Sequence, residues 1–319
     1  MLQVSRRSLI QSTALGTVAA PIAAGALLAP ASAAVTGAKF AGHVPGKIYV
    51  GVSGLGFEIT SVTGPVGMRR TFHKWDGIAN ELKSAKADHA ANRLPWTSFK
   101  PPGSPSTTWK QIGDGVHDSA IRSRARAYAT LSKPVIVTFN HEPHTDSAPP
   151  AEFARAWCRI HDVMKAETGL QNVIHAPILG EWTWNPKNRR HDPADWMTSG
   201  VLSRCHFMGI DLYQTRSGET YEQRVARVLA WLDVRGLSTK MIGIGETGCS
   251  DDFALKGGAW WRASWQYAVA RHDRLFAASY FNTRHNNNEG YNWLLTQSSS
   301  KLSAFTESVR STTATKLVL

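Results

Sequence analysis

Between residues 47 and 280 the chain alternates. Short runs of β-branched and aromatic residues recur every few dozen positions, and the stretches between them carry helical patterning. Few folds satisfy such alternation, because parallel strands need a long crossover and a helix is the usual one. The strand runs are 48–52, 69–72, 91–94, 135–139, 173–177, 207–211, 241–244 and 275–280. Eight is the number at which a parallel sheet closes around its own side chains, so the expected fold is α/β, a (β/α)8 TIM barrel in a single domain. Helices are expected over 75–86, 116–130, 150–168, 192–200, 221–235 and 260–271, several opened by Pro or an early acid. The first connection holds at most a short helix near 57–60. Residues 100–108, rich in Pro, Ser and Gly, read as a long loop, and the tail from Ser298 should carry a last helix.

The first residues read as a targeting segment. Arg6 and Arg7 precede an apolar stretch over 14–29, and Ala31-Ser32-Ala33 is a small-residue cleavage site. This is the pattern of a twin-arginine export signal occupying 1–33, with 34–319 as the barrel domain and a secreted product; an uncleaved N-terminal anchor is the alternative. Gly16, Pro21 and Gly25 interrupt the apolar stretch, which is short for a bilayer span, so stable membrane insertion is not expected. Removing 33 of the 319 residues leaves ample length for one large core. The formal net charge of +12 favours anionic surroundings such as cell-envelope polymers. Lys and Arg are nevertheless scattered among acids, and nucleic-acid binding is not expected. Cys158, Cys205 and Cys249 have no Cys-x-x-Cys spacing, which argues against a structural zinc; one disulfide beside a free thiol is compatible, with the pairing open. A monomer is expected.

Four strand runs end in concentrated polar and aromatic residues: Asn140-His141-Glu142-Pro143-His144, Glu181-Trp182-Thr183-Trp184-Asn185-Pro186, Asp211-Leu212-Tyr213 and Gly245-Glu246-Thr247-Gly248. The C-terminal strand ends are the rim where barrel enzymes place their sites. A carboxylate at the end of a buried strand must be paired or hydrogen-bonded, so Glu142 and Glu246, on the fourth and seventh strands, stand out. Hydrolysis of a glycosidic bond needs a proton donor for the leaving oxygen and a second carboxylate across the anomeric carbon. Two glutamates facing each other across a barrel mouth supply both, and spacing alone does not say which is which. No cofactor is needed.

Phe139-Asn140-His141-Glu142 resembles the fourth-strand signature of glycoside hydrolase family 26, a family of β-mannanase-related retaining barrel glycosidases. Trp182-Thr183-Trp184-Asn185-Pro186, Gly209-Ile210-Asp211-Leu212-Tyr213 and Gly243-Ile244-Gly245-Glu246-Thr247-Gly248 resemble its fifth-, sixth- and seventh-strand segments, in the right order. The resemblance implies Glu142 as general acid/base, Glu246 as nucleophile, His141 as a hydrogen-bonding partner, Tyr213 as a donor orienting Glu246, and Trp184 as the lining of a sugar subsite. Asn140 and Asp211 fall in the same motifs and join the substrate-contacting set. It implies a polysaccharide or oligosaccharide as the substrate. After His-Glu the family continues Met-Asn-Gly, whereas this chain has Pro143-His144-Thr145-Asp146, so the expected substrate is a β-linked glycan, mannan-like or from the cell envelope. The tryptophan platform expected on the eighth strand is replaced by Tyr280-Phe281-Asn282, with Trp293 further on.

Related glycosidases place an arginine on the second strand against the nucleophile. Arg69 and Arg70 both qualify, and the sequence does not choose the pleat; Arg70 is carried forward. Trp96, after the third strand run, and Trp109, in the following loop, are candidate subsite walls, and the 285–289 loop is a polar rim. Trp260, Trp261 and Trp265 lie in a helical stretch and should pack against the barrel. Two other readings compete: a metal-dependent barrel hydrolase drawing on His141, His144, His175 and Asp211, and a carbohydrate-binding barrel without chemistry. The first strand lacks a metal-binding His-x-His pair, and both glutamates are in place.

Overall fold

The computed structural model describes residues 35–53, 57–168, 171–215, 218–250, 256–284 and 291–317. Residues 1–33, expected to be an export signal, and the 285–289 loop lie outside them. Nine parallel strands are hydrogen-bonded in the order β5-β4-β3-β2-β1-β9-β8-β7-β6. They are β1 (Tyr49–Ser53), β2 (Met68–His73), β3 (Leu94–Phe99), β4 (Val135–Phe139), β5 (Val173–His175), β6 (Ile178–Gly180), β7 (Met208–Gln214), β8 (Ile242–Cys249) and β9 (Leu275–Phe281). The two ends of that order, β5 and β6, are halves of one run interrupted at Ala176-Pro177. The run is bonded on both sides: Ala176 N–H donates to Val137 O, while His175 O and Pro177 O accept from His206 and Gly209 N–H. Glu142 N–H donates to Ile178 O, tying the β4 side to the second half. The sheet thus closes as a ring of eight staves, the fifth one broken because Pro177 has no N–H to donate.

Most expected elements stand where the patterning put them, and three shifts have plain causes. The third strand is Leu94–Phe99 rather than 91–94, since Asn92 turns the chain in the left-handed region (φ 54°) and Pro95 is tolerated near a strand start. The expected loop after it contains a helix, Pro105–Gly113, begun by Pro at its first turn. The expected helix over 192–200 is two short ones, Pro193–Trp196 and Ser199–Arg204, each capped by its own side chain, Asp192 and Thr198. The short helix near 57–60 and the last helix, Ser299–Val309, are present.

Alternation along the staves sorts side chains into two regions. Outward-facing residues such as Val50, Val137, Ile210 and Ile244 join the helices in the larger core. Trp260 and Trp261 belong to it, packed against Tyr221, Tyr280 and Phe305. Inward-facing residues fill the ring. Trp96, Phe207 and Phe276 meet at ring separations of 4.4 to 6.5 Å, and Phe40 closes them from below at 5.0 Å from Phe276. Each such aromatic contributes roughly 1.5–3 kcal/mol by leaving water. Glycines make the room: a Cβ at Gly209 would lie 3.1 Å from Trp96, and one at Gly243 would lie 2.8 Å from Phe276. Above this apolar floor the inward positions turn polar: Arg70, Ser98, Asp211, Tyr213 and Glu246. No helix among the described residues is long and apolar enough to cross a membrane. Cys158, Cys205 and Cys249 are thiols, with no disulfide among them.

Candidate active site

The pleat decides between the two arginines. Arg69 faces outward and bonds Asp88 and the Ser84 carbonyl, whereas Arg70, one residue on, points into the ring. Arg70 Nη2 donates to Glu246 Oε1 at 3.2 Å, its Nη1 donates to Ser98 Oγ at 2.9 Å, and its guanidinium lies against the faces of Phe72 and Trp96. Tyr213 O–H donates to the other oxygen, Oε2, at 2.5 Å. Each oxygen of Glu246 therefore has its own donor, one of them a cation, and the carboxylate is fixed in orientation.

Glu246 reaches this position through a bulge. Ile210 pairs with Ile244, but Asp211 pairs with Glu246, so Gly245 is an extra residue in β8. An inserted residue re-aims the side chains that follow it. Gly245 is also where Asp211 and Arg70 crowd in: a Cβ there would lie 2.8 Å from Asp211 Oδ1 and 3.4 Å from Arg70 Nε. Asp211 is buried; burial and the negative charge of Glu246 hold its carboxyl well above the usual range, against the pull of Arg70. Both influences favour its protonated form. Tyr213 is likewise held as a phenol, by burial and by Glu246.

Glu142 stands just past the end of β4 on a strained backbone. Asn140 and Glu142 both adopt left-handed conformations, φ 44° and 51°, which cost non-glycine residues about 1–3 kcal/mol each. The strain is held by hydrogen bonds: Asn140 N–H donates to Phe99 O, Glu142 N–H to Ile178 O, and both the backbone N–H and the hydroxyl of Thr145 to Glu142 O. Burial first, and then the charge of Glu246, push the Glu142 carboxyl up to about 7. Each carboxylate thus feels the charge of the other, and the shift favours the protonated form of Glu142. Its Oε1 and the His144 ring converge over Gly180, where a Cβ would sit 2.8 Å from the oxygen and 2.9 Å from His144 Nε2. His141, on the other side of Glu142 in sequence, lies 5.2 Å from the Phe72 ring; burial, then Arg70 and Lys100, hold it well below the usual histidine range, hence neutral. Asn140 donates to Asp146 Oδ2 at 2.7 Å and leaves its own carbonyl oxygen buried and unpaired.

No sequence profile of a known family matches the chain, and no curated protein sequence matches it. Solved structures do. An endo-β-1,4-mannanase double mutant from Cellulomonas fimi superposes at TM-score 0.62 with 14% identity, over 86% of this chain and 73% of that one. The family 26 β-mannanase of Bacteroides ovatus gives TM-score 0.62 and 14% identity over 85% and 90% of the two chains. An endo-β-1,4-glucanase from Xanthomonas axonopodis pv. citri gives 0.57 and 15% over 82% and 98%. The chain has the fold of the family 26 barrels.

Within that barrel, Arg70, His141, Glu142, Asp211, Tyr213 and Glu246 gather at the C-terminal mouth, and Asn140 underlies them. Three other expected site residues stand elsewhere. Trp96 lies inside β3, fully buried beneath Arg70, and its indole N–H is bound to Thr138 Oγ1; it supports the site from below and lines no cleft. Tyr280 points outward to Trp261 and Phe305, because its position on β9 faces the helices. Trp184 is buried on the outer side of the 181–193 loop against Trp231, at 5.9 Å. Trp109 is also buried, in its helix, between Phe153 and Trp196. The residues drafted as metal ligands do not converge: His175 packs against His161 and His206, away from His141 and His144. Among the described residues no group of three acidic, His or Cys side chains is arranged to hold a metal ion. Sequence reasoning missed Phe72 and Ser98. Phe72 is two residues beyond Arg70 on the same strand, so period two puts it on the same face and could have found it. Phe281 meets both Phe72 and Tyr213, and Trp293 stacks beside Tyr213 at 5.1 Å.

Proposed function

We propose that the protein is a retaining glycoside hydrolase, exported through the twin-arginine pathway, that cleaves a β-linked polysaccharide by double displacement. The observation that carries this reading is the asymmetry of the two glutamates: Glu246 is held between a cation and a phenol, and Glu142 is pushed up to about 7. One carboxylate is gripped at both oxygens and fixed in orientation, the other is raised so that it can carry a proton, as befits a nucleophile and an acid. In the first step Glu246 attacks the anomeric carbon while Glu142 gives its proton to the leaving oxygen. In the second, Glu142 takes a proton from water, and that water displaces Glu246 from the sugar. The mannanase and glucanase activities of the superposed enzymes support a β-1,4-linked substrate, mannan-like or from the cell envelope.

The test is hydrolysis of mannans, mixed-linkage glucans, xylans and cell-envelope glycans by the exported protein, with the first-formed product anomer read by NMR. The β-anomer is expected, with turnover lowered by several orders of magnitude in Glu246→Ala. Release of the α-anomer, or activity that survives Glu246→Ala, would refute the assignment.

A further inference from the structure

The two glutamates are held in different ways. Each oxygen of Glu246 has a donor, whereas among the described residues no side chain donates to the carboxyl of Glu142; the Thr145 hydroxyl beside it goes to its backbone oxygen. The cations that reach that carboxyl, Arg70 on β2 and Lys100 after β3, act through space, against burial and the charge of Glu246 on β8. Asp211 and Tyr213 on β7 also feel Glu142, and both favour their neutral forms. Once Glu142 has given its proton to a leaving oxygen, it is a half-buried carboxylate without a direct donor. Such a charge is costly unless a hydrogen bond meets it.

One ring is placed to meet it. The short 3-10 turn Pro143–Thr145 follows the left-handed residue Glu142 and brings His144 over the fifth stave. There the Nε2–Cε1 edge of the ring and Glu142 Oε1 close on one point above Gly180, 2.9 Å and 2.8 Å from where a Cβ would stand. The far nitrogen, Nδ1, is buried without a partner. The His191 ring, from the 181–193 loop, stands across His144 at 5.7 Å. Burial, then His191, lower His144 to about 4, so it is neutral and carries a single N–H. On Nδ1 that hydrogen would be an orphaned buried donor; on Nε2 it faces the acid and leaves only an acceptor unmet, the lesser cost. His141, the other imidazole near Glu142, turns to the Phe72 ring.

We propose that His144 is a positioning residue for the acid: its Nε2–H donates to Glu142 Oε1 when the carboxyl gives up its proton, and so makes Glu142 a stronger acid than its buried site alone would allow. The role rests on Glu142 being the acid, as proposed above; the contact rests on the geometry at Gly180. No bond of the imidazole is made or broken. The proton passes from Glu142 to the leaving oxygen and is regained from water in the second step. Catalytic hydrogen bonds are often long in a free enzyme and tighten with substrate in place.

The experiment is a carbon-13 NMR pH titration of full-length protein labelled at the glutamate carboxyl carbons, with the Glu142 signal assigned by its loss in Glu142→Gln. The midpoint is expected at about 7 in the wild type. His144→Phe keeps a ring and removes the donor; since a hydrogen bond to a charged acceptor favours ionisation about tenfold or more, the midpoint should rise by about one pH unit. His144→Gln, whose amide reaches the Nε2 position, should return it to the wild-type value. The alkaline limb of kcat/KM on an unactivated oligosaccharide should move with the midpoint, whereas a merely structural role would lower the rate and move neither. Should His144→Phe fold poorly by its thermal midpoint, His144→Asn, whose amide matches Nδ1 rather than Nε2, carries the test with the same expected rise. A midpoint unmoved or lowered in these variants, or a Gln variant that shifts as far as Phe, overturns the proposal. The titration needs no turnover. A wild-type protein that cleaves no glycan would sink the hydrolase reading while a His144-dependent midpoint stood, and cleavage with an unmoved midpoint would do the reverse.

Discussion

Replacing Gly180 with alanine should separate the placement of the acid from the stability of the fold. Gly180 has φ −64° and ψ 135°, a conformation any residue adopts, so the backbone is unstrained. Alanine would reduce the freedom of the unfolded chain, a gain of about 0.4–1 kcal/mol. The new methyl, however, would stand 2.8 Å from Glu142 Oε1 and 2.9 Å from two atoms of the His144 ring, where ordinary contact begins near 3.4 Å. The backbone of Glu142 is pinned, so its carboxyl group must swing away by about half an ångström. Because a misplacement of about 1 Å costs on the order of a hundredfold, a tenfold or somewhat larger loss of kcat/KM is expected, about 1.4–2 kcal/mol of barrier. The assay pairs thermal unfolding with kinetics on two substrates, an unactivated oligosaccharide and an activated aryl glycoside. The loss should fall on the oligosaccharide, whose leaving oxygen needs the proton, while the aryl glycoside is spared and the thermal midpoint holds or rises. Equal damage on both substrates, or none on either, would refute the argument that this glycine exists to make room for the acid.

With Glu142 held up to about 7, kcat/KM for substrates with poor leaving groups should be high below that pH and fall as pH rises through it; a pH profile of Glu142→Ala on an aryl glycoside that keeps the same alkaline limb would assign the limb to another group. Tyr213→Phe removes one of the two donors to Glu246 and should lower turnover about a hundredfold without moving the thermal midpoint; a change within about twofold would show that Arg70 suffices. The buried cluster of His175, His161 and His206 should make the fold acid-sensitive. Burial holds all three below the ordinary 6.5, joined at His175 and His206 by repulsion from His161, with His206 at about 4, so the unfolded chain binds protons more readily. Stability is then complete above about 6.5 and lost as pH falls toward 4, and thermal midpoints across that window should decline less in His206→Asn; an identical slope would place the acid sensitivity elsewhere.

Much of the barrel was legible because its signals are local. Eight staves, most helices and the strand-end position of Glu142 follow from patterning within short windows, and the helix 150–168 matches its expected bounds. The choice of Arg70 over Arg69 needed only the pleat, once the start of β2 was known. What remained hidden depends on contacts distant in sequence. The break in the fifth stave is visible as a proline, but not that the ring closes through it. Trp96 looked like a rim residue because the third strand was placed three residues early, and that shift moves a side chain from the floor to the mouth. Tyr280 and Trp184 face the helices for reasons of packing rather than spacing. His144 was read as a departure from the family pattern, yet its convergence with Glu142 depends on the bare Cα of Gly180, which belongs to another stave.

The aromatic floor sets the terms on which this scaffold is open to change. Trp96, Phe207 and Phe276 occupy volume that Gly209 and Gly243 vacate, so large and small residues there form one interlocked set spread over four staves. Any attempt to deepen the cavity from beneath would have to alter several of them together, while Arg70 rests on the top of that stack through Trp96. Descendants of this chain that acquire new substrates are therefore expected to vary along the rim and keep the plug, and a library confined to the strand-end loops should yield more folded, active clones than one of equal size aimed at the interior.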